Sequence, residues 1–430
     1  MIAIRDIPDN RNLDDPLSAR GSEVNRSKLG HIPALDGVRG VAILLVLINH
    51  FSPEGAYDNR LAKFFQPITG KMTVGVDLFF VLSGYLITGI LLRSKTSKRY
   101  FRNFYFRRAL RIFPLYYFVL ILLAVGLATI PSWKNLDSLR HAWPWYWFYG
   151  TNYLICRSGF SVLDHKHISL GHFWSLAVEE HFYLFWPMVV WLCSDRRLVR
   201  VCIALIVIAP LCRACAVVTG QSLLIPYVAT QCRMDALALG ALLAVLLQSS
   251  TPADLLRRFR IFGLLCAVAA VVCLALDNRV IHFHGEAIHL SRPMAIASYS
   301  FIAFAWAAFI LLALKGAGLT SRILSQRWLR FFGVYSYGMY IYHRLILNAL
   351  TTQLSIRRLS YHGQLWTGIL PHYALCLGAT VLIALASYHL YEKHFLKLKR
   401  SFEQQTLPKA RGPTAGGSTL FNLLQRPHLR

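Results

Sequence analysis

The sequence predicts an all-α, polytopic membrane protein with about ten transmembrane helices, and three observations make that prediction. Hydrophobic residues fill 55% of 430 positions, well above the share in a soluble domain, and mean hydropathy is +0.44. The apolar residues come in blocks long enough to span a ~30 Å hydrocarbon core. The 46 Lys and Arg residues lie mostly in short clusters between those blocks, as the positive-inside rule requires. The net charge of +26 therefore reads as topology, and no nucleic-acid partner is expected.

Residues 1–33 form a polar tail without an apolar h-region or a small-residue cleavage site, so no signal peptide is expected. The membrane domain is read as 34–392. Its spans fall at about 36–53, 74–92, 112–130, 173–193, 201–218, 233–248, 260–276, 295–314, 331–351 and 369–391. Residues 393–430 read as a disordered polar tail. Arg93, Lys95, Lys98, Arg99, Arg102, Arg107, Arg108 and Arg111 separate the second span from the bulk of the third. They place that segment, and with it both termini, in the cytoplasm of a multi-pass cell-membrane protein. The stretch WPWYWFYGTNYLIC within 141–156 is too short and too polar to span and reads as re-entrant or interfacial. No internal repeat of the kind common in transporters is evident. The nine cysteines are an odd count, mostly inside apolar blocks, and read as small buried hydrophobes.

Ionisable residues inside these blocks are the candidate functional groups, because each is costly in lipid. Arg39 and His50 stand eleven positions apart in the first span. That spacing is about three turns plus 20°, so both project from one face, about 16 Å apart along the axis. In the second span Asp77 requires a partner, with His50 and Arg60 as candidates, and Ser83-Gly84 interrupts the apolar run. Arg108 and Arg111 are neighbours on one face of the third helix and could grip phosphates. Glu179 and Glu180 open the fourth span, but adjacent helical residues point about 100° apart, so one at most faces a shared cavity. Ser336, Tyr340 and His343 form a polar stripe on the ninth span. Two further clusters, Asp164, His165 and His167 with His172, and His282, His284 with His289, lack a metal-ligand spacing, so no metal site is expected.

The blocks LDGVRGVAILLVLINH, GVDLFFVLSGYLITGIL, RRALRIFPLYY, FWSLAVEEHFYLFWP and YSYGMYIYHRLI, in that order, resemble the acyltransferase-3 family of integral membrane O-acyltransferases. The resemblance runs from about Pro33 to Glu392. It implies ten transmembrane helices and transfer of a short acyl group, often acetyl, from a cytosolic acyl-CoA. The implied acceptor is a hydroxyl of a glycan, a lipid-linked sugar or another surface or secreted metabolite. The family's spaced Arg and His fall on Arg39 and His50, its paired arginines on Arg108 and Arg111, and its Trp-Ser-Leu-x-Val-Glu-Glu block on Trp174 to Glu180. His181 stands where the family usually has Gln, and Tyr342 where it usually has Trp. Larger relatives add an extracytoplasmic hydrolase-like domain after the membrane part. Without it, substrate handling is expected in the membrane domain or in a separate partner.

A sugar hydroxyl is a poor nucleophile toward a thioester, so a general base is needed where it attacks. His50 suits that duty, with Glu179 or Asp77 orienting the imidazole and Arg39 holding the donor or the developing oxyanion. The resemblance implies that Arg108 and Arg111 bind the phosphates of acyl-CoA (acetyl-CoA), a co-substrate rather than a tightly bound cofactor. Ser83, Trp174, Glu180 and His343 are the expected substrate-binding residues. The competing class is a transporter of a glycolipid or small anion that uses the same charges as a pathway.

Overall fold

The computed structural model describes residues 32–52, 68–130, 133, 137–160, 168–276, 280–283, 286–289, 292–316, 318–354, 356–360 and 365–403. It is an all-α polytopic membrane protein. The long helices are α1 (Pro33–Phe51), α2 (Val74–Ser94) and α3 (Tyr100–Thr129). The aromatic stretch follows as two short helices, α4 (Asp137–Trp147) and α5 (Thr151–Ser158), broken at Phe148 to Gly150 as a non-spanning segment should be. Then come α6 (Trp174–Leu192), α7 (Asp195–Val218), the short α8 (Leu224–Val228), α9 (Thr230–Leu246) and α10 (Pro252–Leu276). A small antiparallel hairpin, Val280–Phe283 with Glu286–His289, precedes α11 (Arg292–Leu314). The chain ends its described part with α12 (Leu319–Leu324), α13 (Arg327–Val334), α14 (Ser336–Gln353), α15 (Ile356–Leu359), α16 (Leu365–Ser387) and α17 (Lys393–Glu403).

Among the described residues eight helical segments are long and apolar enough to cross a membrane. The other two predicted spans are helices at the expected places, α6 and α14, of 19 and 18 residues. They fall short in apolarity because they carry Glu179, Glu180 and His181, and Ser336, His343 and Arg344. A short helix, α13, covers the start of the predicted ninth span and joins α14 at Tyr335. The last span passes through one π-helical turn at Tyr388–Glu392 and stays helical through Glu403, into the segment read as a tail. Arg60, Asp164, His165, His167 and His284 lie outside the described residues.

Burial separates core from lipid-facing helices. The apolar window of Leu224–Leu246 is 83% buried, that of Pro252–Leu276 only 17%, so α9 is central and α10 peripheral. Lipid tails are as apolar as leucine, so close backbone approach and polar contacts must hold such a bundle. Two crossings show this. A Cβ on Gly84 of α2 would sit 1.9 Å from Leu237 O of α9, and one on Gly240 would sit 1.9 Å from Val81 O. A Cβ on Gly40 of α1 would sit 2.1 Å from Leu329 O of α13, and one on Gly333 would sit 1.8 Å from Asp36 O. Gly240→Ala is therefore expected to push α2 and α9 apart and destabilise by roughly 1–3 kcal/mol, as overpacking does. An unchanged thermal midpoint in detergent would show that this crossing opens freely.

Two of the prolines inside spans, Pro114 and Pro187, remove ladder hydrogen bonds where tyrosines from other helices bond the neighbouring carbonyls. Tyr105 and Tyr100 of α3 donate to Leu184 O (2.7 Å) and Pro187 O (3.0 Å) of α6. Tyr337 of α14 donates to Ile112 O at 2.7 Å, beside Pro114 of α3. Lys95 Nζ donates to Cys193 O, tying the end of α2 to the end of α6. All nine cysteines are free thiols.

Candidate active site

Helices α1, α2, α3, α6 and α14 surround a cavity. Its charged lining consists of Arg39 from α1, Arg108 and Arg111 from α3, and Glu179 from α6. Three of the helix-face expectations thus converge on one space. Arg39 Nη1 lies 3.5 Å from Asp36 Oδ1, one turn back on its own helix. The Arg108 guanidinium stacks over the Tyr183 ring, with its Cζ 5.2 Å from the centroid. Tyr183 Oη lies 2.5 Å from Glu179 Oε2 and 3.1 Å from Ser83 Oγ, joining α6 to the polar interruption of α2. Glu179 is the member of the carboxylate pair that lines the cavity. Glu180 lies outside the lining, within electrostatic range of Tyr149 and Tyr337.

His50 lies beyond the far end of this space, about 16 Å along α1 from Arg39 by helix rise. Its Nδ1 is 2.9 Å from Nε2 of His343, and the two rings stack with centroids 4.9 Å apart. His343 is fully buried, and its Nδ1 faces the carbonyls of Tyr340 (2.8 Å) and Met339 (3.2 Å). The ring of His172 stands edge-on to His343 at 4.7 Å. Between cavity and histidines is a hydroxyl wall. Ser175 Oγ and Tyr340 Oη, both in the lining, are 2.5 Å apart, and Tyr340 donates to His172 O at 2.6 Å.

Neither carboxylate expected to orient His50 is placed to do so. Asp77 is paired with Arg233 of α9, Oδ1 to Nη2 at 2.6 Å, and both side chains are buried. The reason is packing: the α2–α9 crossing at Gly84 and Gly240 brings the helices close enough for this pair. Trp174, expected at a substrate, instead helps enclose the same cation. The Arg233 guanidinium lies 3.9 Å from the Tyr299 ring centroid and 5.7–5.9 Å from those of Phe80, Trp174 and Tyr227. A second buried pair lies alongside, Arg213 Nη2 to Asp235 Oδ2 at 2.9 Å, with Ser300 bonded to both. Sequence reasoning missed both arginines, although each stands in or at the edge of an apolar block and is a functional or pairing signal by position alone. The substituted His181 is bonded through Nδ1 to Thr230 Oγ1 at 2.8 Å, and Tyr342 to Ser387 Oγ at 3.1 Å. Both departures from the family pattern serve contacts between helices.

Five ordered sequence blocks thus fold into one cavity and an adjoining histidine cluster, and a comparison with protein families decides what they belong to. A profile described as the acyltransferase domain (acyltransferase-3) matches residues 32–389. The chain belongs to the acyltransferase-3 family. Similar proteins include the peptidoglycan O-acetyltransferase OatA of Listeria monocytogenes, 27% identical over 372 residues, which cover 84% of this chain and 55% of that protein. The putative peptidoglycan O-acetyltransferase YrhL of Bacillus subtilis is 27% identical over 386 residues, covering 84% and 54%. A putative O-acetyltransferase of Staphylococcus aureus is 34% identical over 167 residues, covering 38% and 25%. The acyltransferase-3 chain thus spans about half the length of the first two. No solved structure matches it significantly.

Proposed function

We propose that this acyltransferase-3 protein is an O-acetyltransferase that takes a short acyl group from acyl-CoA on the cytosolic side and delivers it to a hydroxyl of a cell-surface glycan. One observation carries the reading. Three guanidinium groups line a single cavity that shares a hydroxyl wall with a histidine pair, His343 buried and His50 half-buried. Arg108 and Arg111 hold phosphates of the donor, since guanidinium is built for bidentate phosphate contacts. Arg39 holds the donor within the cavity, on the same face of α1 as His50 and about 16 Å from it along the axis. His50 removes the acceptor's proton as its oxygen attacks the thioester carbonyl. The C–S bond then breaks, and the proton passes from His50 to the departing thiolate, leaving an ester and free CoA thiol. The relatives' names support a glycan of the peptidoglycan type as acceptor and acetyl as the group moved.

Release of CoA thiol by the purified protein, supplied with acetyl-CoA and a peptidoglycan fragment, tests this reading. A transporter would release none. Arg108→Ala and Arg111→Ala are each expected to raise the donor KM about ten- to a hundredfold, the worth of one charge-assisted bond of roughly 1.5–3 kcal/mol. Their kcat should change little, because a phosphate contact persists from ground state to transition state. An unaltered donor KM in both would leave these arginines as topology signals.

A further inference from the structure

We infer that His343 is a positioning residue that holds His50 in the tautomer whose Nε2 carries the lone pair. This rests on His50 acting as the base. The argument follows the hydrogens from the buried end outward. His343 Nδ1 faces two backbone carbonyl oxygens, those of Tyr340 and Met339, one turn back on α14. A carbonyl only accepts, so Nδ1 must carry the hydrogen. In a neutral imidazole the other nitrogen is then bare, so His343 Nε2 is an acceptor. The atom 2.9 Å from it is His50 Nδ1. His50 Nδ1 therefore donates, and the basic lone pair of His50 is on Nε2.

The backbone of α14 thus sets the protonation pattern of a residue on α1, 293 positions away in sequence. The arrangement does for His50 what a carboxylate does for the histidine of a catalytic triad, with a neutral acceptor in its place. Arg344 follows His343 on α14 and acts electrostatically on both rings, and His172 and Tyr340, whose own rings are 5.3 Å apart, both pack on the His343 ring. His343 makes no bond to substrate in this scheme. It takes no proton.

The test compares acceptor capacity with packing at position 343 in the full-length protein. His343→Glu supplies an acceptor-only group, His343→Gln one that can also accept, and His343→Leu fills the space without accepting. Each is checked for monodispersity in detergent, and kcat and both KM values are measured. The leucine variant should lose kcat by between about tenfold and the ~10⁴-fold seen when a protease histidine is left in the wrong tautomer. Its donor KM should stay unchanged, and Glu or Gln should recover most of the lost kcat. Leucine matching wild type would overturn the inference, as would folded Glu and Gln variants no better than leucine. Failure of the underlying reading looks different: wild type would release no CoA thiol, or a folded His50→Gln protein would turn over normally.

Discussion

Replacing His50 by glutamine is expected to lower turnover by roughly 10²–10⁴-fold, the usual worth of a general base. Glutamine keeps approximate volume and hydrogen bonding, and its amide can still meet His343, but it cannot take a proton near neutral pH. The loss should fall on kcat, with donor KM nearly unchanged, since Arg108 and Arg111 lie in the cavity on the other side of the Ser175–Tyr340 contact. The variant must remain monodisperse in detergent for the number to count. A folded His50→Gln protein with near-normal turnover would remove His50 from the mechanism.

The second large effect concerns stability. Asp77→Ala is expected to cost about 3–5 kcal/mol, because it leaves the buried Arg233 guanidinium without its counter-charge. Arg233 is 1% exposed and surrounded by aromatic rings, so water cannot take the place of the carboxylate. The double variant Asp77→Leu, Arg233→Met should recover much of the loss, since an apolar pair of similar volume is often as stable as a buried ion pair. Thermal unfolding in detergent measures both. If Asp77→Ala keeps its midpoint but abolishes turnover, then Asp77 belongs to the chemistry after all and the α2–α9 pairing is incidental.

The fold was largely legible because membrane insertion writes itself into composition. An apolar block must be helical in lipid, since only a helix satisfies its own backbone there. Periodicity also placed Arg39 and His50 on one face, and Arg108 beside Arg111, and the cavity collects Arg39, Arg108 and Arg111. What periodicity cannot supply is the neighbour. Asp77 finds Arg233 at a separation of 156 residues and His50 finds His343 at 293, and both pairings depend on which helices cross and how closely. The crossing was written in Gly84 and Gly240, but two glycines among many do not say which helix they admit. Trp174 was misread for a related reason. Its block fitted the family pattern, while its ring turned toward Arg233 rather than the cavity.

The cavity's lining sets three guanidinium groups against a single carboxylate, Glu179. A protein that passes an acyl group across a bilayer must open a path for it without opening one for ions. Fixed positive charge excludes protons and metal cations from a constriction, as it does in selective pores. Arginines that hold an anionic donor, as proposed, would thus also keep the membrane electrically tight while the donor enters. Catalysis and insulation would be served by the same charges, and neutralising them would carry a second penalty, paid in the ion gradient of the cell rather than in the rate of transfer.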